Sequence, residues 1–246
     1  MNVEEIKKQI GKKRIEKHKL LNETFWWVSI ARKSLDTSLK EDEYSKGIKI
    51  HVPSKISQTR SISRTAEQVK EIIQRAQSTD LYFSIYVSLV AQVEDFFSFL
   101  VYSILKADSR RIKGSTSGVE TLKKIDIEDV IDASDKDEIV EKIIRKNIIT
   151  VFYASPQKQK DYFEKVLGVK IDEHYWDEWF EIKATRDIIV HNAGVINEVY
   201  MEKSKANAKW KLGDTINIDE NLFGETVANL KSIIGKLELT ARKSLK

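Results

Sequence analysis

The longest apolar run in the chain extends from Leu81 to Leu105 and is broken by Gln92, Glu94 and Asp95 and by serines at 84, 88, 98 and 103. Its length and its polar interruptions predict a buried core helix from about Asp80 to Lys106, not a membrane span. Helical spacing recurs on both sides of it. Residues 2–45 predict one or two helices, in which "FWWVSIARKSL" carries the apolar positions and the lysine-rich start is solvated. Residues 63–77 predict a helix with Ser63 as N-cap. Residues 119–150 suggest two or three short helices, "DKDEIVEKIIRKN" being the most regular. Residues 155–168 begin with Ser155 as N-cap and Pro156 at the first helical position, and they stop at Gly168. The next helix spans 172–194 and is closed by Gly194. A last helix is capped by Asp219 and reaches about Leu239.

Three segments break the helical pattern. Residues 46–57, "KGIKIHVPSKIS", alternate and contain a proline, as a loop or short edge strand does. Residues 107–118, "ADSRRIKGSTSG", read as a loop with a basic centre. Residues 209–219, "KWKLGDTINID", alternate like a short strand or hairpin arm.

Composition sharpens this picture. Two prolines and nine glycines among 246 residues are few, and long helices tolerate little of either. The expected fold is all-α: a helical domain over 79–246 with an N-terminal helical extension over 1–78. The absence of cysteine excludes disulfides and thiolate metal sites and fits a reducing cytoplasm. No apolar stretch follows the basic residues of the first helix, so it does not read as a signal peptide, and no membrane association is expected. The net charge of +4 permits a polyanionic partner without demanding one.

Two charges stand where charges are costly. At about 100° per residue, Trp179, Ile182, Ile189, Val190 and Ala193 all lie within roughly 60° of Arg186. Glu94 shares a face of the long helix with Phe83, Val87, Val90, Ala91, Phe97 and Val101. A carboxylate there needs a partner, and an arginine fork centred on a second apolar stripe supplies one if the helices pack together. Asp187 stands four residues before His191, within reach of the imidazole. On an ideal helix His191 lies roughly 140° round from Arg186.

The stretch "RDIIVHNAGVINEVY", Arg186 to Tyr200, resembles the motif of the HEPN superfamily: an arginine, a gap of four to six residues, then a histidine. Here the gap is filled by Asp187, Ile188, Ile189 and Val190, and the histidine is His191. Asn192, Gly194, Val195, Ile196, Asn197 and Tyr200 continue the pattern of larger HEPN domains. Glu94 in "VAQVEDFFSFL" and the late "KLGDTINID" arm are also similar to that family. The resemblance covers about residues 80–240. One departure matters: Ala193 stands where toxins modified by a partner nucleotidyltransferase carry a tyrosine, so that regulation is not carried over.

The resemblance implies a HEPN-like helical bundle and metal-independent RNA cleavage, as in a toxin or abortive-infection effector of a prokaryotic defence system. The RNA 2′-OH attacks the neighbouring phosphorus, leaving a 2′,3′-cyclic phosphate and a 5′-OH. Histidine suits the proton transfer and arginine the charge that builds on the phosphoryl oxygens. Arg186 and His191 are the expected catalytic pair. Asp187 would orient the imidazole, Asn192 would hold the phosphate or the attacking hydroxyl, and Glu94 would hold Arg186. A homodimer with both motif copies in one cleft is expected, with RNA as substrate and an antitoxin or defence-complex protein as a further partner. Arg110, Arg111 and Lys113 of the basic loop, and Tyr200, are candidate RNA contacts.

Neither a cofactor nor a metal is expected, because the histidines at 18, 51 and 174 are scattered in sequence. Two rival readings give different structural expectations. A non-catalytic HEPN binding or scaffold module buries Arg186 and Glu94 as a brace, whereas catalysis exposes His191 to its symmetry mate. A chance motif leaves residues 80–105 and 172–193 unpacked against each other.

Overall fold

The apolar run forms α3 (Leu81–Ala107), which among the described helices contributes the most buried residues. The structure, a computed structural model, describes residues 2–40, 46–55, 59–114, 116, 119 and 127–245. Val90, Val93, Phe96, Phe97, Leu100, Val101 and Ile104 of α3 are fully enclosed. That burial accounts for its hydrophobicity, and the helix stands at the centre of the described bundle. α3 is entered from α2 (Ala66–Arg75) through one π turn at Ala76–Asp80. α2 starts two residues later than the Ser63 reading expects. Thr65 caps it in a reciprocal box: its hydroxyl accepts from Gln68 N while Gln68 Oε1 accepts from Thr65 N. Ser63 instead sits in β2 (Thr59–Arg64), which pairs antiparallel with β1 (Ile48–Pro53), Ile50 opposite Ile62.

α1 (Val3–Lys40) is one helix of 38 residues. Its Ile6, Ile10, Leu21 and Val28 are buried in the same cluster as α3, so a boundary at residue 78 does not separate two cores. Part of the basic stripe at residues 7–19 serves this docking. Lys17 is buried and its Nζ lies 2.7 Å from both Asp95 Oδ2 and Gln92 Oε1, and Lys13 also reaches Asp95, at 3.4 Å. The stripe at 7–19 therefore attaches a helix to the bundle as well as solvating it.

Within 119–150, where two or three short helices are expected, the described residues form α4 (Ile127–Ile131) and α5 (Lys136–Tyr153). Residues 120–126 lie outside the described part, as do 115, 117 and 118 of the basic loop. The rest of that loop winds into a 3-10 turn at Ser109–Lys113. α6 (Pro156–Lys165) starts at its proline, and α7 (Glu173–His191) follows after Gly168, which has φ +67°. α3, α6 and α7 meet in an aromatic cluster: Phe97 lies 4.9 Å from Trp179 and 5.3 Å from Phe163, and Phe163 lies 5.7 Å from Trp176. Trp176 and Trp179 are thus core residues, and α7 does pack on α3. α8 (Glu198–Ser204) is a short return, and α9 (Glu220–Ser244), capped by Asp219, closes the bundle against α1, α3 and α7.

The arm at 209–219 is not a strand. To the segment after α7 it makes one bridge, Val195 to Thr215, and three backbone hydrogen bonds: Ile196 N to Asp214 O, Gly213 N to Ile196 O, and Ile216 N to Gly194 O. Its partner segment is the brief link between α7 and α8, too short to carry a ladder. The alternation in the sequence reflects Ile216 and Ile218 entering the core, with polar neighbours outside.

Candidate active cleft

The last turns of α7 form one wall of a cleft of about 690 Å³. Lys183, Arg186, Asp187 and His191 line it from α7, Glu94 from α3 and Lys203 from α8. The rest of its lining runs from Phe152 and Tyr153, at the end of α5, through Ala154 and Ser155 to Pro156 of α6. The motif arginine and histidine therefore share one concave surface despite their separation around the helix.

Arg186 reaches Glu94 as its apolar-stripe position predicts. Its Nη2 lies 3.2 Å from Oε1 and 3.4 Å from Oε2, one nitrogen serving both oxygens instead of a two-nitrogen fork. Both groups are half-buried, with side-chain exposures of 21% and 23%, so the pair faces the cleft and is not sealed in the core. Lys183, which the sequence reading missed, holds the same carboxylate at 2.9 Å from Nζ to Oε1. The signal was present: Lys183 stands three positions before Arg186, on the same helix face.

Asp187 does not orient His191. Arg186 Nη1 takes one of its oxygens at 3.2 Å and Lys203 Nζ the other at 2.8 Å. Both oxygens of that carboxylate are thus taken by cations in contact. His191 is exposed at the end of α7, and among the described residues its ring has no hydrogen-bond partner. The Asn192 side-chain amide donates to Val195 O and closes the turn after the helix, and Asn192 is not part of the cleft lining.

That turn is sharply built. Ala193 and Gly194 have φ of +50° and +81°, and a Cβ on Gly194 would stand 2.8 Å from the Phe83 ring. Only glycine allows the chain to pass so close to α3 in this conformation. The turn, the arm behind it and the end of α7 thereby fix where His191 emerges.

Tyr200 is a correction. It is buried, not a surface contact, and its hydroxyl donates to Glu181 Oε1 at 3.0 Å while accepting from Lys209 N at 2.9 Å. Glu181 is itself buried and is also held by the Thr185 hydroxyl at 2.8 Å and by Lys209 Nζ at 3.0 Å. Burial first, and the Glu181 charge second, push the Tyr200 hydroxyl far above its ordinary range. This network ties α7, α8 and the start of the arm together behind the cleft.

The basic loop lies elsewhere. Arg111 donates to the carbonyls of Leu167 and Ser244, fastening the ends of α6 and α9. The cleft meets α6 at its other end, about 15 Å away for a helix of this length. Arg110 is exposed but paired to Asp108 at 2.8 Å, and Lys113 is exposed. Neither belongs to the cleft wall. Among the described residues no group of three or more histidine, aspartate or glutamate side chains is placed to hold a metal ion. A separate concavity on the outer face of α1, bordered by Ile15, Trp26 and Ile30, shares no residue with the cleft.

Comparison with known proteins finds no matching family model, no matching curated protein and no matching solved structure.

Proposed function

We propose that this chain is a metal-independent endoribonuclease of HEPN type. The observation that carries the reading is that Arg186 and His191 line one open cleft, the guanidinium held by Glu94 and the imidazole unpaired among the described residues. In this reading the RNA 2′-OH attacks phosphorus and its proton passes to a His191 imidazole. Arg186 faces the phosphoryl oxygens as charge builds on them. The P–O5′ bond breaks, and the leaving oxygen takes a proton from an imidazolium, giving a 2′,3′-cyclic phosphate and a 5′-OH.

One histidine per cleft favours a homodimer, in which one His191 accepts the first proton and the partner's His191 supplies the second. Val190, Val195 and Val199 support that assembly, because they are 40–51% exposed around the end of the motif and give an apolar border for a second copy. A toxin or abortive-infection effector, restrained by an antitoxin or a defence-complex partner in the cytoplasm, is the setting this reading implies.

The rival reading is a brace in a binding module. It draws on Arg186 being shared by two carboxylates, Glu94 and Asp187. Total RNA incubated with wild type and with His191→Ala in excess EDTA separates them. The nuclease reading expects cleavage by wild type alone, with cyclic phosphate ends. The brace expects RNA unchanged by both.

A further inference from the structure

Tyr153 ends α5 with 90% of its surface exposed, yet it lines the same cleft as Arg186, His191 and Lys203. Among the described residues no hydrogen bond or ring contact holds it. Its neighbours Val151 and Phe152 supply the packing at this end of the helix. The fold therefore gives no use for the ring. A solitary exposed aromatic is ordinary on a protein surface, but this one stands on the rim of a charged cleft.

The same cleft is lined by a chain of alternating charges: Lys183, Glu94, Arg186, Asp187 and Lys203, with successive contacts of 2.9, 3.2, 3.2 and 2.8 Å. Three cations against two carboxylates leave an excess of one positive charge at the cleft wall. That excess suits one phosphodiester, and the cleft volume of about 690 Å³ suits a ligand of nucleotide size. An aromatic face beside a cationic phosphate seat is how proteins hold an unpaired nucleotide.

We infer that Tyr153 stacks the base of an unpaired nucleotide whose phosphate lies against Arg186 and Lys203, so that the cleft selects single-stranded RNA. A base within a duplex has both faces covered and offers none to the ring. The choice of RNA as ligand rests on the ribonuclease reading above, whereas the nucleotide seat itself does not require cleavage.

The test is binding in excess EDTA on a His191→Ala background, with Tyr153→Ala and Tyr153→Phe added. Probes are a fluorescent single-stranded oligoribonucleotide, the same oligomer in duplex, and inorganic phosphate. Tyr153→Ala should weaken single-strand binding by about 5- to 100-fold. Tyr153→Phe should keep it, and phosphate binding should not move. The parent should prefer the single strand to the duplex. Equal single-strand affinity of Tyr153→Ala and its parent overturns the inference, as does an equal loss of phosphate binding. Tyr153-dependent binding, together with a wild type that does not cut RNA, leaves the nucleotide seat standing and removes the nuclease. Cleavage by wild type without Tyr153-dependent binding does the reverse, and binding of no probe by the parent overturns the nucleotide seat.

Discussion

Lys183 and Arg186 grip the same oxygen of Glu94, at 2.9 and 3.2 Å. Their spacing places both on one face of α7, and Glu94 reaches them from the middle of α3. A single carboxylate thus neutralises a buried lysine and aims the motif arginine.

Glu94→Ala should therefore cost both stability and activity. It strands Lys183, whose side chain is 9% exposed, beside Arg186 with no shared counter-charge. Loss of a partly buried charged contact of this kind costs about 2 kcal/mol, less than a fully buried pair because Glu94 keeps some solvent. Urea unfolding measures the loss. Glu94→Asp should recover part of the stability, and an unchanged midpoint in Glu94→Ala contradicts the shared-carboxylate reading.

Gly194→Ala should destabilise by about 1–3 kcal/mol, because an L side chain is strained at this φ and its Cβ meets the Phe83 ring. Gly213→Ala, at φ +85° with open space around the position, should cost less, from backbone strain alone. Denaturation midpoints of the two variants give the comparison, and equal losses contradict the Phe83 contact.

Tyr200 and Lys203 should separate support from substrate binding. Tyr200→Phe deletes a hydrogen bond to the buried Glu181 carboxylate and should cost about 1.5–3 kcal/mol. It should leave the salt dependence of RNA binding unchanged. Lys203→Ala should weaken binding and lower the slope of log K against log salt by about 0.7, the value for one single-strand phosphate contact. Titrations at several salt concentrations read both effects, and a flat response in Lys203→Ala removes that residue from the phosphate seat.

Tyr162 controls an alkaline limit. Burial alone raises its hydroxyl from the ordinary 10.0 to about 12, and the oxygen has no hydrogen-bond partner among the described residues. The unfolded chain ionises this group first, so the neutral buried phenol contributes stability in full below pH 10 and loses it as pH rises towards 12. Tyr162→Phe should be neutral or stabilising at pH 7, since it removes an unsatisfied buried hydroxyl. It should also flatten the fall in melting temperature between pH 10 and 11. A large loss at pH 7 contradicts the absence of a partner.

The Arg186–Glu94 pair was legible because each charge stands at the centre of an apolar stripe, and the packing of α7 on α3 brings those stripes together. α3, the proline start of α6 and the Asp219 cap were legible for the same local reasons. The N-cap at Thr65 was equally local, since Thr65 and Gln68 form the box, but Ser63 also fits an N-cap and was preferred. β2 was hidden because "TRSISR" is mostly polar and pairs as half of an exposed hairpin. Asp187, Asn192 and Tyr200 were misplaced for a shared reason. Each bonds to something supplied by the chain beyond α7: Lys203, Val195 and Lys209. Helix spacing carries no information about that return, so His191 was expected to have an orienting carboxylate that Lys203 and Arg186 in fact occupy.

The most direct measurement uses one single-stranded RNA oligonucleotide and its all-2′-deoxy counterpart, each with wild type, Arg186→Ala and His191→Ala in excess EDTA. Wild type should cut the RNA to 2′,3′-cyclic phosphate ends and leave the deoxy strand intact, and both variants should lose cleavage by at least about 100-fold. Cleavage of the deoxy strand, or of RNA by His191→Ala at the wild-type rate, would contradict a site built on Arg186 and His191.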